Sequence, residues 1–306
     1  MKRKISICIS DFQEEYGHSE ALRLAKEIGA DAVDFDLCDF FDYQTKGNPY
    51  AGSDAEIIAY FSQLGAYAKE LGLEIAQTHG RLRGFRNDAA FNETVIENGR
   101  RDCIATKALG AKVCVMHTVT TIRMGADADP RLMHQLNYDM FTRLLPFAKE
   151  NDVMIATETF GDATGLGCCD FFGNIQEFLK GYHHVCGNPE FADYFKVCVD
   201  PGHSNKASRF SPNPLPPDVI RMIGGDAIVA LHLNDNDTLT DQHKMPFSGS
   251  IDWDDLFCAL DEIGYHGYYN MELNLRFYGK ELIYQTGAFA ILVLRNYLNK
   301  RYGADA

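Results

Sequence analysis

The chain predicts an α/β fold, a (β/α)8 TIM barrel, on two observations. Eight short runs rich in β-branched residues alternate with eight amphipathic segments along its 306 residues. That alternation is what a parallel sheet with helical crossovers requires. Several helical segments also stop at a Gly directly before the next strand, a common helix terminator. A doubly wound open sheet shares the alternation, so closure is an expectation. No linker, low-complexity tract or repeat beyond the βα unit interrupts residues 1–306, which are expected to form a single barrel domain.

The elements follow in order. KISICIS (4–10) reads as the first strand. The basic residues before it precede too short and too interrupted an apolar run for a signal peptide. SEALRLAKEIG (19–29) then places apolar residues at three- and four-residue spacing, the mark of a helix with one buried face. ADAVDFDL (30–37) is the second strand, AEIIAYFSQLGAYAKELG (55–72) its helix, and LEIAQTH (73–79) the third strand. The helix ETVIENGRRDCIATKALG (93–110) leads to the fourth strand, AKVCVMH (111–117). RLMHQLNYDMFTRLLPFAKEN (131–151) leads to the fifth, DVMIATET (152–159), and NIQEFLKGYHH (174–184) to the sixth, FKVCVD (195–200). PPDVIRMIGG (216–225), AIVALHL (227–233), DWDDLFCALDEIG (252–264) and YYNMEL (268–273) complete the seventh and eighth strands with their helices. KELIYQTGAFAILVLRNYLNKRYG (280–303) closes the chain.

Barrels of this kind carry their chemistry at the C-terminal strand ends. His79 ends the third strand, His117 the fourth, Glu158 the fifth and Asp200 the sixth, with His203 three residues on. His232 ends the seventh strand, Asp241 and His243 follow in the next loop, and Glu272 ends the eighth. A single histidine at a strand end is ordinarily a polar group meeting solvent, and a single glutamate there a cap. Here five of the ten histidines and four carboxylates fall at one face. Packing them around one barrel mouth is costly unless a cation neutralises them. Imidazole with carboxylate is the donor set of one divalent ion, manganese foremost because the site is carboxylate-rich, with zinc, cobalt, magnesium or iron as alternatives.

Bulk properties narrow the partners. A formal charge of −14 argues against gripping a nucleic-acid backbone, which takes clustered Lys and Arg. The loop RLRGFRN (81–87) is the strongest local exception. No apolar run approaches the length a membrane helix needs. The nine cysteines form no C-x-x-C pair and read as reduced thiols of a cytoplasmic protein, a homo-oligomer by general expectation only. The glycines of GDATGLG are wrongly spaced for a dinucleotide fingerprint.

Glu158, Asp200-x-x-His203, His232 with the following LND, Asp241-x-His243 with Pro246, Gly249 and IDW (251–253), and Glu272, in this order, resemble the xylose isomerase-like TIM barrels. That superfamily of sugar isomerases and epimerases also includes endonuclease IV, and the resemblance covers essentially the full length. In the sugar branch it implies Glu158, Asp200, His232 and Glu272 as ligands of one metal, with Glu158 and Glu272 also exchanging protons next to a carbonyl through a metal-bound enediolate. His79, His117, His203, Asp241 and His243 are then the residues around a carbohydrate substrate, free or phosphorylated. Some ketose 3-epimerases place an Arg shortly after the seventh-strand His; here the region reads NDNDTLT, so their substrate does not carry over. Lys244 and Arg276 are the cations nearest in sequence. A keto-inositol or keto-sugar dehydratase would share the site and the first step. The endonuclease IV branch, with three zincs, would claim His79, His117, Asp241 and His243 as further ligands.

Overall fold

The computed structural model describes residues 3–38 and 40–303. Eight parallel strands follow the chain around a nearly closed barrel: β1 (Ile5–Cys8), β2 (Ala32–Asp36), β3 (Glu74–His79), β4 (Val113–Met116), β5 (Met154–Glu158), β6 (Phe195–Val199), β7 (Ile228–Leu231) and β8 (Tyr269–Met271). β8 pairs with β1. The last seam, between β7 and β8, is held just above the strands, where Leu233 bridges Met271 and its N–H donates to the Asn270 carbonyl at 2.8 Å. The barrel closes as the sequence predicts.

The expected helices are all present, among them Asp54–Glu70, started by a capping box between Ser53 and Glu56, and Ala89–Leu109, capped by Asp88 and ended by left-handed Gly110. Three further short α-helices among the described residues were not expected. Ser10–Tyr16 follows β1, Thr121–Met124 lies in the loop after β4, and Pro201–Ala207 starts directly after β6 with Asp200 as its cap. Several strands also stop one residue before the polar group read as their end, so His117, Asp200, His232 and Glu272 sit on the first residue beyond.

What positions the site is the period of two along each strand. One parity, including Ile5, Ile7, Val33, Phe35, Val197, Val199 and Met271, packs against the helices in the large core. The other forms a small interior cluster of Val113, Val115, Ala156, Cys198 and Ala230. Two residues further on, that interior parity reaches His117, Glu158, Asp200 and His232. Gln77 and Asn270 lead the same way to His79 and Glu272, and all six lie at one end of one barrel.

The loop after β7 is built on a buried acid. Asp235 reads in sequence as part of an ordinary polar loop, but it is fully buried. Its carboxylate accepts from Trp253 Nε1 at 2.7 Å, Gly249 N at 2.9 Å and Ile251 N at 3.2 Å, folding the loop back onto the next helix. A Cβ on Gly249 would stand 2.3 Å from that carboxylate, which requires glycine in the P-x-x-G run. Asp237 does lie exposed, bonding its own turn. Asp235→Ala would leave four donors, the Asn236 N–H at 2.9 Å included, without their acceptor and should cost on the order of 3 kcal/mol. A lowered urea midpoint, with a red-shifted emission of the single tryptophan, checks this.

Candidate metal centre

Glu158 is the centre of the site. It has no exposed surface, and His117 Nε2, His232 Nδ1 and His79 Nε2 stand 3.1, 3.2 and 3.5 Å from its Oε2. His203 Nδ1 stands 3.1 Å from Oε1. Glu272 approaches from β8: its Oε2 is 3.2 Å from the same His232 Nδ1, and its Oε1 is 3.6 Å from His79 Nε2. Asp200 spends Oδ1 on the His203 N–H at 2.7 Å and accepts from Asn234 Nδ2 on Oδ2 at 2.8 Å.

The other ring nitrogen of His232 lies 3.1 Å from Asp34 Oδ2. Gln77 and Asn270 donate to the same oxygen, at 2.9 and 3.2 Å. Asp34 therefore fixes the ring and leaves Nδ1 facing the glutamates, the arrangement that orients a ligating imidazole. Asp34 was not singled out from the sequence. Its one available signal was a carboxylate inside an apolar strand.

Burial and charge compete here. Burial by itself would raise Glu158, but the fields of His232 and His117 hold it well below the ordinary carboxylate range. Glu272 is likewise held low against burial by His232 and His243. Burial pushes Asp200 up to about 6. Burial would lower His79, yet Glu158 and Glu272 bring it to about 9. His243 reaches about 9 against burial, through Glu272 and Asp241. Burial leaves His117 below its usual value.

The donors fit a divalent cation. Both Glu158 oxygens, His79 Nε2 and His232 Nδ1 are buried without a hydrogen-bond partner. Buried charges ordinarily find partners or coordinate metals. One ligand atom each from Glu158, Asp200, His232 and Glu272 lie within 4.8 Å of one another, as do those of His79, Glu158 and His232. A separate group joins His203, Asp241 and His243, with Asp241 Oδ2 3.5 Å from both Nε2 atoms. Its other carboxylate oxygen lies 3.4 Å from the buried ammonium of Lys206, which also meets Asp162 at 2.8 Å. Lys206 is a second residue the sequence reading passed over. Arg276 is spoken for, by Asp11 and Glu14 at 3.0 Å each, and Lys244 lies over the Phe277 ring.

A family model described as xylose isomerase-like TIM barrel matches residues 22–288. The uncharacterized protein y4fM of Sinorhizobium fredii is 27% identical over 188 residues, 60% of this chain and 54% of that protein, so the match spans about half the relative's length. The crystal structure of a D-tagatose 3-epimerase-like protein covers 97% of both chains at 17% identity and a TM-score of 0.71. That of the IolI protein with a bound zinc covers 96% of this chain and 99% of that one at 18% identity and 0.71. The E. coli 3-keto-D-glucoside 4-epimerase YcjR covers 96% and 100% at 16% identity and 0.69. At such identities the likeness speaks for the fold.

Loading the site with a divalent ion must displace protons, because His79 and His243 are raised to about 9. At pH 7 metal binding should release protons, and affinity should rise with pH until about 9. Titration calorimetry in two buffers of different ionisation enthalpy measures the release; equal heats in both would contradict it.

Proposed function

We propose a reaction for this chain, which belongs to the xylose isomerase-like TIM barrel family: the isomerisation or epimerisation of a sugar or sugar phosphate by proton exchange next to a carbonyl. The observation that carries the proposal is the pair Glu158 and Glu272, two carboxylates held low by histidines, with His232 common to both, and each 3.2 Å from its Nδ1. Glu158, Asp200, His232 and Glu272 would hold one divalent ion, manganese first by its carboxylate-rich set. When bound, that ion supplies Lewis-acid stabilisation of the negative charge that develops on the substrate oxygens.

The chain's own side chains account for the remaining steps. One of the two glutamates removes the proton α to the carbonyl, and a proton returned to the opposite face inverts that carbon; such positioned proton transfer contributes typically about 10² to 10⁴-fold. Ionised carboxylates are required for the removal, and the histidine fields keep them ionised. His203 and His243 have their Nδ1 atoms held by the carbonyls of Thr159 and Glu272, each at 3.1 Å, so their Nε2 atoms remain for Asp241 or a substrate hydroxyl. His79 and His117, whose Nε2 atoms stand 3.5 and 3.1 Å from Glu158 Oε2, complete the polar wall around substrate. A keto-inositol or keto-sugar dehydratase would use the same first step and then expel a hydroxyl.

A second reading is favoured by one observation. The His203, Asp241 and His243 group, together with His79 and His117 beside Glu158, supplies the donors of a three-zinc phosphodiesterase of the endonuclease IV kind. The charge of −14 weighs against it, since DNA binding rests on phosphate neutralisation. We place the sugar reaction in the cytoplasm, where nine unpaired cysteines stay reduced, within a single barrel domain. Among the described residues no helix is long and apolar enough to cross a membrane.

Solvent-hydrogen exchange into ketoses, aldoses and inososes tests the proposal. Exchange should fall at least 10²-fold in Glu158→Gln and in Glu272→Gln, and should need the metal. Three bound zincs with cleavage of abasic DNA would overturn it in favour of the nuclease.

A further inference from the structure

A cavity of about 430 Å³ opens beside the metal centre, with His79 and Glu272 in its wall. That size is in the range of small-molecule sites. Asp11, Glu14 and Asp36 join Glu272 around it, with Ser10 and the ring of Phe40, and no Lys or Arg is among its lining residues. His79 connects it to the centre through a buried Nε2 that has no hydrogen-bond partner.

We infer that this cavity takes a polyhydroxy carbonyl compound bearing neither phosphate nor carboxylate, an inference that rests on the proton-exchange reading above. Three observations carry it. The wall carries the carboxylates of Asp11, Glu14, Asp36 and Glu272, with one guanidinium, that of Arg276, shared by the first two, so a phosphate dianion placed there would meet an excess of like charge. Hydroxyl groups, by contrast, donate to carboxylates.

The cation that sequence offers for an anionic group, Arg276, is consumed. Its guanidinium meets Asp11 and Glu14 at 3.0 Å and Glu15 at 3.9 Å, three carboxylates on one positive charge. Lys244 lines a different cavity, on the side of His243 and Phe277. The short helix Ser10–Tyr16 begins at the cavity, and its first turn already carries the Asp11 carboxylate, which accepts from Leu275 N at 2.8 Å. Apart from His79, whose ring faces Glu158 and Glu272, no cationic side chain is thus left for an anion in this wall among the described residues. Selection falls on hydroxyl pattern instead of a charged handle.

The test is equilibrium binding to the manganese-loaded full chain by titration calorimetry, using matched pairs: fructose, tagatose and psicose against their 6-phosphates. The neutral member should bind at least tenfold more tightly in every pair that binds. Glu14→Lys, at an exposed position that threatens no core, should narrow that ratio at least fivefold by reversing one wall charge and releasing Arg276 from a partner. Equal or tighter binding of the esters, no binding in any pair, or an unchanged ratio in Glu14→Lys would each overturn the inference. Binding and exchange fail separately. Neutral preference without solvent exchange sinks the reaction and leaves the inference standing, whereas exchange with esters preferred does the reverse.

Discussion

Everything at the mouth of this barrel answers to one constraint, the burial of Glu158. A carboxylate with no exposed surface and no hydrogen bond cannot remain ionised in a protein interior by itself. Four imidazoles converge on it from four different strand ends, and those imidazoles in turn require their own support. Asp34 supports His232, the Thr159 carbonyl supports His203, and the Gly80 carbonyl lies 3.3 Å from His79 Nδ1. Such a network is fully satisfied only when something positive sits within reach of the atoms it leaves bare. A divalent ion is the economical answer.

The fold supplies this convergence through the simplest periodicity in protein structure. Interior residues of a strand recur every second position, so a barrel whose lower interior is small and apolar carries its next interior residues into one ring. The same alternation sends the branched apolar side chains outward against the helices, where they form the large core. Core and chemistry are thus two parities of the same strands. Changing the register of a strand by one residue would exchange them.

Much of this is legible in the sequence alone. The strands were readable from β-branched runs, and once a barrel was assumed, their ends named His79, His117, Glu158, Asp200, His232 and Glu272 as one ring. The structure brings all six together, with His203, Asp241 and His243 adjoining them. What stayed hidden were partners that spacing cannot express. Asp34 and His232 lie 198 residues apart and meet inside the barrel. Asp235 reads as one more acid in a polar loop, because its function is to accept from backbone and indole donors that arrive from later in the chain. Lys206 was passed over as the tail of a helix whose existence the sequence pattern did not announce. Charges satisfied at long range leave no local pattern to read.

The central claim is that Glu158, Asp200, His232 and Glu272 surround one divalent cation. The most direct measurement is an anomalous difference map from manganese-soaked crystals, recorded on both sides of the manganese edge. One strong peak is expected within about 2–2.6 Å of an oxygen or nitrogen of each of the four residues. No peak there, or a peak confined to His203, Asp241 and His243, would contradict it.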